Sequence, residues 1–462
     1  MVHPNGDQDD NFGILGISCY FPKTYVSQGN LEKEYGVDAG KYTIGLGQSE
    51  MGVCSDREDV VSLSLTVVKM LLSQYNIDPA SIGFLEVGSE TLIDKSKGVT
   101  TELMALFGEN TDIEGADVKN ACFGGTQAVF HALDWLQANY STEKRLSMAV
   151  LSDIAVYEEG PARCTGGAGA MAILLGPNAP IVFDKGLRSF HKARTWDFYK
   201  PVGCHNCEYP MVAGRESLES YMGSLLKCYA VYSEKAKKLN GEDVCLSNYD
   251  GAMFHSPYTK LVRKAVANLI ATDARNGSAV NGVDEAILTK LREEPSSGNV
   301  ADVTKTALAA SEMTWEELTS PNLTFNRRIG NMYTPSLFVQ LLCYLARDAE
   351  KQSSRAILFA YGSGAIAAMF SLSIDNSSPK MQRIRESAVS RLDDRVELTG
   401  SEYLATMKQR ETFYIAPVPS TPASLSSPAS WPLFPGTFFL SSIDGRFRRE
   451  YQCYEPHPLN GH

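Results

Sequence analysis

A cysteine sits among small residues in the stretch Asn120-Ala121-Cys122-Phe123-Gly124-Gly125-Thr126. Apolar residues follow it at helical spacing, at Val129, Phe130 and Leu133. Cys122 is therefore predicted at or just before a helix N-terminus, where the helix dipole and unpaired N–H groups favour the nucleophilic thiolate. The glycines would let an acyl group approach backbone N–H groups that could hold an oxyanion. The alternative is a buried, inert cysteine, which seldom lies in a glycine-rich turn.

The composition is that of a soluble globular protein. The chain has 462 residues, of which 44% are hydrophobic and 21% are charged. This length fits two or three average domains or one large α/β assembly. A formal net charge of −11 argues against a nucleic-acid-binding surface. No apolar run reaches the length of about 18 residues that a membrane span needs, so we predict neither nucleic acid nor membrane as a partner.

The N-terminus and the cysteines predict a cytoplasmic protein. The first residues are polar and acidic, which excludes a secretory signal and disfavours a mitochondrial transit peptide. The ten cysteines are scattered, as in reduced intracellular proteins. Cys204-His205-Asn206-Cys207 has no second C-x-x-C to complete a zinc site, so we predict an exposed loop there and no metal.

Alternating strand and helix patterns predict an α/β fold with a largely parallel sheet. Residues 12–20 and 82–87 read as buried strands, and residues 59–75 as an amphipathic helix. Glu90 follows the strand 82–87, at the edge where α/β sheets bind ligands, which makes it a candidate general base. The alternative is a capping or surface carboxylate.

A second half starts near Gly186 and contains a second candidate site residue. His255 ends a short apolar run and precedes a predicted helix over 259–272, a position that resembles the position of Cys122 in the first half. The alternative is a structural histidine. Lys260 and Lys264 form a small basic patch on the first turns of that helix, or else a solvated face.

Several segments of the chain resemble the 3-hydroxy-3-methylglutaryl-CoA (HMG-CoA) synthase family, in the family's order from about Phe12 to Tyr451. They are Asp38-Ala39-Gly40-Lys41-Tyr42, Leu85-Glu86-Val87-Gly88-Ser89-Glu90-Thr91, Asp94-Lys95-Ser96-Lys97, the Cys122 stretch, Gly176-Pro177-Asn178-Ala179-Pro180, Phe254-His255-Ser256-Pro257-Tyr258 and Gly330-Asn331-Met332-Tyr333-Thr334. The resemblance implies a thiolase-like α/β fold with two related halves in α-β-α-β-α layers, and a homodimer. We place the halves at residues 12–185 and 186–458.

The resemblance also implies a reaction and its three central residues. The family joins acetyl-CoA to acetoacetyl-CoA and releases HMG-CoA for the mevalonate and isoprenoid pathway. Cys122 would carry the acetyl group as a thioester, and Glu90 would remove a methyl proton from it. His255 would bind or polarise the ketone of acetoacetyl-CoA, donating a proton near neutral pH. The CoA thioesters are substrates, and no cofactor is required.

Further residues are implied by resemblance alone. The positions that resemble substrate or CoA contacts are Asp38, Ala39, Lys41, Thr165, Ser217, Lys260, Lys264, Asn331 and Ser363, with the three lysines expected on the CoA phosphates. Asp153, Asp197 and Tyr333 resemble residues that support the site.

Three residues depart from the family pattern, and two other functions compete with the one implied. Phe123 replaces the usual tyrosine, while Pro161 and Cys164 replace an asparagine and a proline of the animal enzymes. One alternative is another thiolase-fold condensing enzyme such as a ketoacyl synthase, although that group typically lacks a carboxylate like Glu90. The other alternative is a non-catalytic acyl-CoA-binding paralog, for which retention of all three chemical groups would be coincidence.

Overall fold

The structure is a computed structural model that describes residues 11–202, 208–294, 302–347, 351–387, 391–415 and 431–455. The predicted loop Cys204-His205-Asn206-Cys207 and residues 456–458 of the predicted second half lie outside the described residues.

The described residues contain sixteen strands. In chain order they are β1 Gly13–Tyr20, β2 Thr24–Ser27, β3 Glu50–Val53, β4 Ile82–Gly88, β5 Asp117–Val118, β6 Leu146–Ala155, β7 Gly167–Gly176, β8 Ile181–Lys192, β9 Phe198–Tyr199, β10 Met211–Val212, β11 Gly251–Phe254, β12 Ser353–Gly362, β13 Ile366–Asp375, β14 Val396–Leu398, β15 Phe438–Ile443 and β16 Arg449–Cys453.

Thirteen α-helices accompany them in the same part of the chain. They are α1 Gln28–Glu34, α2 Val60–Tyr75, α3 Val99–Leu103, α4 Gly124–Glu143, α5 Gly214–Asn240, α6 Thr259–Arg275, α7 Glu285–Glu293, α8 Lys305–Ala310, α9 Glu312–Thr314, α10 Thr324–Ile329, α11 Phe338–Ala346, α12 Pro379–Ser387 and α13 Gly400–Ile415. None of the described helices is both long and apolar enough to cross a membrane.

Nine of the described strands form one sheet in the order β11-β12-β13-β8-β1-β7-β6-β4-β5. The prediction of a largely parallel sheet is wrong: only β11–β12, β4–β5 and β4–β6 pair in parallel, while the other five pairs are antiparallel. For the antiparallel pairs of consecutive strands, β6–β7 and β12–β13, the reason is the length of the connection. A short turn joins β12 to β13, for example, and returns the chain beside the strand it has just left, whereas a parallel pair needs a long crossover.

Strand β8 joins the strands β11, β12 and β13 to the other five strands of this sheet. Ile181 pairs with Ile14 of β1 on one side and with Ile374 of β13 on the other. Two large hydrophobic clusters flank the sheet, one centred on β1, β4, β6 and β7 and the other on α5, α6 and β12. The predicted boundary between residues 185 and 186 falls inside β8 and stays a prediction.

The central strands are covered on both faces. All ten residues of β7 are buried, and its sequence of small and aliphatic residues lets helices approach closely. Helix α2 packs on β1, β6 and β7, and helix α4 packs on β4, β6 and β7. The strands and helix predicted over residues 12–20, 59–75 and 82–87 are confirmed as β1, α2 and β4. Three candidate reactive residues lie at the ends of these elements: Glu90 follows β4, His255 follows β11, and Cys122 precedes α4.

Candidate active site

A cavity of about 370 Å³ lies between the two halves of the sequence. It gathers seven residues that the sequence singles out, namely Cys122, Thr165, Ser217, His255, Asn331, Tyr333 and Ser363. These residues come from six separate segments of the chain, so only the tertiary fold brings them together.

Cys122 stands in the turn that starts α4, as predicted. The helix begins at Gly124, and Phe123 is its N-cap residue. The preceding residue, Ala121, has φ of +44°, in the left-handed region that a residue with a Cβ seldom adopts. The Sγ atom of Cys122 lies 3.3 Å from Oε1 of Glu90, within the range of a thiol-to-carboxylate hydrogen bond.

The prediction that Cys122 is a thiolate is wrong. Burial raises the pKa of Cys122 well above its ordinary value, and the adjacent Glu90 carboxylate raises it further. Both effects outweigh the helix terminus, because the surrounding protein shields the half-buried Cys122 from part of the bulk water and Glu90 presents a like charge. The resting pair is thus a thiol that donates to a carboxylate.

The glycines beside Cys122 serve close packing. A Cβ built on Gly88 would lie 2.6 Å from the backbone of Gly125, and one on Gly362 would lie 2.5 Å from the backbone nitrogen of Phe123. The N–H groups of Phe123 and Gly124 donate to backbone oxygens within the turn, at 3.1 and 3.2 Å. These two N–H groups are therefore engaged, and the expectation that backbone N–H groups near Cys122 hold an oxyanion stays a prediction.

Glu90 lies two residues beyond β4 and is 7% exposed. Burial raises the pKa of Glu90, whereas the charge of Lys200 opposes the shift. The Nζ atom of Lys200 lies 3.3 Å from Oε2 of Glu90, the oxygen that does not face Cys122. A buried carboxylate of raised pKa beside a proton donor fits the predicted general base.

Asp153, at the end of β6, organises the segment that carries Glu90. Its Oδ1 accepts hydrogen bonds from the backbone N–H groups of Glu90 and Thr91, at 2.9 and 3.0 Å, and from the hydroxyls of Ser89 and Thr91. Its Oδ2 accepts from the backbone N–H and the hydroxyl of Thr334. One buried carboxylate therefore joins the Glu90 segment to the turn that follows Tyr333.

Asp197 likewise joins two segments that line the cavity by accepting hydrogen bonds from both. Its Oδ2 accepts from the hydroxyl of Tyr361 at 2.6 Å, and its Oδ1 accepts from Gly364 N at 2.9 Å. Its backbone oxygen accepts from the hydroxyl of Ser217 at 2.8 Å. The turn that holds Ser363 and the helix start that holds Ser217 are thus tied to one residue.

His255 follows β11 directly and is 3% exposed. Burial lowers its pKa from the ordinary value of 6.5 to about 3, so the imidazole is neutral at pH 7. The expectation that His255 supplies a proton near neutral pH is therefore wrong for a charged imidazolium, whereas its expected role in binding or polarising the ketone stays a prediction. A neutral imidazole can still donate one N–H hydrogen bond to a ketone oxygen.

Asn331 and Tyr333 form a strained turn beside the cavity. The Oδ1 atom of Asn331 accepts from Tyr333 N at 2.9 Å and from the Ser336 hydroxyl at 3.0 Å. These bonds hold Tyr333 at φ +53° and ψ −107°, a conformation that costs free energy for a residue with a side chain. Strain of this kind concentrates at functional sites.

The three departures from the family pattern differ in their relation to the cavity. Pro161 lines it, beside Thr165. Phe123 and Cys164 are 1% and 2% exposed and are absent from the cavity's described lining. Burial raises the pKa of Cys164 to about 11, and its Sγ lies 3.3 Å from Pro161 O, so it stays a packed thiol.

The three lysines predicted to bind the CoA phosphates, together with Asp38 and Ala39, are absent from the cavity's lining and lie on two adjoining segments. Asp38, Ala39 and Lys41 are exposed on one loop. The N–H of Lys260 donates to the backbone oxygen of Leu46, which lines the cavity, at 3.0 Å. Lys264 lies on the following turn of the same helix, α6.

Sequence reasoning missed Lys200 and Tyr361. Lys200 stands in the segment Asp197-Phe198-Tyr199-Lys200-Pro201, where only a loop is evident from the residues. The one signal in the sequence that could have singled out Lys200 is that it directly follows two aromatic residues, Phe198 and Tyr199. Among the described residues, no group of three or more histidine, cysteine, aspartate or glutamate side chains is placed to hold a metal ion.

Comparison with protein families gives two consecutive matches. Residues 8–180 match the model described as hydroxymethylglutaryl-coenzyme A synthase N terminal, and residues 181–454 match the corresponding C-terminal model. Two curated relatives are similar over nearly the whole chain. The hydroxymethylglutaryl-CoA synthase of Caenorhabditis elegans is 46% identical, across 96% of this chain and 94% of the relative. The cytoplasmic hydroxymethylglutaryl-CoA synthase of Homo sapiens is 41% identical, across 95% of this chain and 86% of the relative.

Solved structures agree with this result. A structure described as MvaS in complex with 3-hydroxy-3-methylglutaryl coenzyme A superposes with a TM-score of 0.81 and 28% identity, covering 96% of this chain and 100% of that one. An HMG-CoA synthase complexed with CoA gives a TM-score of 0.73 at 21% identity, with 96% and 100% of the two chains covered, which speaks for the fold alone. The predicted thiolase-like fold is confirmed by these likenesses.

Proposed function

The chain belongs to the hydroxymethylglutaryl-CoA synthase family, and on that premise we propose which of its residues carry the reaction. The protein is an acyltransferase that condenses acetyl-CoA with acetoacetyl-CoA and water to give HMG-CoA and CoA, a step of the mevalonate pathway. CoA thioesters are its substrates. The family match removes the ketoacyl synthase alternative.

Cys122 is the nucleophile of the first half-reaction. Its thiol proton passes to Glu90, whose Oε1 lies 3.3 Å away, as Sγ attacks the carbonyl of acetyl-CoA. The new bond joins Sγ to the acetyl carbon, the bond from that carbon to the CoA sulfur breaks, and CoA leaves with the proton. Glu90 is then ionised again.

Glu90 and His255 act in the second half-reaction. Glu90 removes a proton from the acetyl methyl group, which the thioester acidifies, and the resulting carbanion attacks the ketone of acetoacetyl-CoA. The neutral imidazole of His255 donates a hydrogen bond to the oxygen on which negative charge develops. That alkoxide takes up the proton that Glu90 carries and becomes the hydroxyl of the product, which leaves Glu90 ionised again. Water then cleaves the thioester and restores the Cys122 thiol.

The remaining predicted residues hold the substrates. Lys41, Lys260 and Lys264 contact the CoA phosphates, with Asp38 and Ala39 on the loop of Lys41. The cavity residues Thr165, Ser217, Asn331 and Ser363 contact the acyl groups. Support comes from the adjoining positions of the Lys41 loop and helix α6, and from the cavity they border.

We also infer that the protein works as a homodimer in the cytoplasm. The edge strand β5 ends the nine-stranded sheet four residues before Cys122, and an open edge can pair with a second copy. Light scattering after size-exclusion chromatography tests this, and a monomer at micromolar concentration would contradict it. The human relative's name supports the cytoplasmic location.

One observation carries the site assignment: Cys122 lies within hydrogen-bond distance of Glu90 and lines one cavity with His255, although the three residues are distant in sequence. The test is product formation from acetyl-CoA and acetoacetyl-CoA, followed by mass spectrometry, in Glu90→Ala, Cys122→Ser and His255→Ala variants. Each should lose at least about 100-fold in rate. Cys245→Ser, a half-buried cysteine beyond helix α5, is the matched control and should keep its rate. Full activity of Cys122→Ser would overturn the assignment.

A further inference from the structure

Lys200 makes an ion pair with Glu90, the proposed base. No sequence pattern predicted this ion pair. Lys200 directly follows β9, and its Nζ lies 3.3 Å from Oε2 of Glu90. The side chains of Lys200 and Glu90 are 14% and 6% exposed. The other carboxylate oxygen, Oε1, faces Cys122. The carboxylate is thus held between a cation on one side and the nucleophile on the other.

Aromatic rings fix the position of the lysine. Its Nζ lies over the ring of Tyr333, 4.5 Å from the centroid, and 5.8 Å from the centroid of Phe198. An ammonium group over an aromatic face gains about 0.5–2 kcal/mol. Phe198 and Tyr333 themselves pack edge to face at 5.8 Å. The strained turn at Tyr333 therefore contributes a surface against which Lys200 rests.

The other titratable groups around Glu90 give it no positive charge. Asp153 accepts a hydrogen bond from the Glu90 backbone, and the Cys122 thiol contacts Oε1. The phenols of Tyr157 and Tyr333 lie close enough to interact electrostatically with Glu90. Each of these groups is neutral or anionic. Among the described residues named here, Lys200 is therefore the one that compensates the negative charge of Glu90.

We propose that Lys200 is a positioning residue of the condensation: its ion pair holds Glu90 as an anion in a buried site and directs Oε1 toward Cys122. This inference rests on the proposed role of Glu90 as the base. The charge matters because a buried carboxylate without a cation takes up a proton in preference to staying ionised. A protonated Glu90 cannot accept the methyl proton.

The ion pair predicts a specific change in the pH profile. In Lys200→Met, Glu90 loses its counter-charge, so the acid limb of kcat should move to higher pH. At pH 7 kcat should fall roughly ten-fold or more and recover part of that loss at pH 9, since an adjacent opposite charge stabilises the ionised form substantially. KM for acetyl-CoA should change less than about two-fold, because Lys200 is not among the groups proposed to bind CoA.

Conservative variants separate charge from shape. Lys200→Arg keeps the cation and should restore the wild-type acid limb. Lys200→Gln can still donate a hydrogen bond to Oε2 but carries no charge, so its profile should follow that of Lys200→Met. Lys192→Met is the matched control, because Lys192 is exposed on β8, outside the site. Urea unfolding of each variant confirms that the comparison is made on folded protein.

The decisive comparison is the profile of kcat from pH 6 to 9 for wild type, these variants and Glu90→Ala. An inactive Glu90→Ala together with an unshifted profile in both Lys200→Met and Lys200→Gln would overturn the role of Lys200 alone. A Glu90→Ala variant with wild-type kcat would instead overturn Glu90 as the base. The inference is supported if the acid limb shifts in Lys200→Met and Lys200→Gln and returns to its wild-type position in Lys200→Arg.

Discussion

Oε1 of Glu90 lies 3.3 Å from Sγ of Cys122, across the gap between the end of β4 and the turn before α4. Burial raises the pKa values of both groups, so each resists ionisation in the other's presence. The hydrogen bond gives the thiol proton a direct path to the carboxylate. This proton path is the physical basis of the two half-reactions proposed above.

Replacing Glu90 by glutamine should make Cys122 more reactive toward an alkylating agent. The Glu90 charge raises the pKa of Cys122, and an amide removes that charge while keeping the shape. Iodoacetamide should then modify Cys122 several-fold faster at pH 7.5 in Glu90→Gln than in wild type, with the midpoint of the pH profile lowered. Cys122→Ser supplies the background rate. A slower reaction in Glu90→Gln would contradict the coupling of the two groups.

His255 should make the fold less stable in mild acid. Its pKa is about 3 in the folded protein and 6.5 ordinarily, so the unfolded chain binds the proton more readily. The stability that neutral His255 contributes is complete above pH 6.5 and is lost progressively toward pH 3. Between pH 7.5 and 5.5 wild type should lose about 1.4 kcal/mol more free energy of unfolding than His255→Gln. Urea titrations at both pH values measure this, and equal losses would contradict a buried, neutral imidazole.

Asp153→Asn should destabilise the fold and the site together. In the variant, an amide nitrogen, which cannot accept a hydrogen bond, replaces one of the two carboxylate oxygens. Either the donors of the Glu90 segment, which now reach Oδ1, or those of Thr334, which now reach Oδ2, lose their acceptor. We expect a loss of at least about 3 kcal/mol in urea unfolding, because buried donors lose a charged acceptor. Asp94→Asn is the matched control: Asp94 also accepts two backbone bonds, at 2.7 Å, but in an exposed turn. Equal losses in the two variants would contradict the role given to Asp153.

Glu32 should control the affinity for CoA through the Lys41 loop. Its buried carboxylate accepts from the backbone N–H groups of Gly40, Tyr42 and Thr43 at 2.8 to 2.9 Å. Burial opposes its ionisation, yet these bonds lower the pKa of Glu32 overall. Glu32→Gln should raise KM for acetyl-CoA roughly five-fold, the factor for about 1 kcal/mol, and leave kcat nearly unchanged.

The control for that variant lies on the same helix. Glu34 is exposed two residues further along α1, so Glu34→Gln should keep the wild-type KM. An unchanged KM in Glu32→Gln, or a fall in kcat of the same size as the rise in KM, would show that the loop does not hold CoA.

The sequence predicted those site residues that local patterns mark. Cys122 precedes an apolar helical repeat, and Glu90 follows a buried strand, so their places at a helix start and a strand end could be inferred from nearby residues. Lys200 could not, because its partner lies 110 positions away and only the path of the loop after β9 brings them together. The protonation states of Cys122 and His255 were also beyond local inference, since they depend on burial by distant segments.

The sheet shows the same division. The hydrophobic runs correctly predicted the positions of β1 and β4, because a buried strand has an apolar sequence regardless of which strands pair with it. Strand direction depends on the connections instead. The segment Tyr361-Gly362-Ser363-Gly364 reads as a tight turn from residues alone, and a tight turn makes the strands on either side of it antiparallel.

The most direct test of the central claim is the mass of the intact protein after incubation with acetyl-CoA alone. Wild type should gain one acetyl group on Cys122, Cys122→Ser should gain none, and acetoacetyl-CoA should then remove the group from wild type and yield HMG-CoA. A folded wild-type protein that binds CoA but never acquires the acetyl group would contradict Cys122 as the nucleophile and favour a non-catalytic CoA-binding protein.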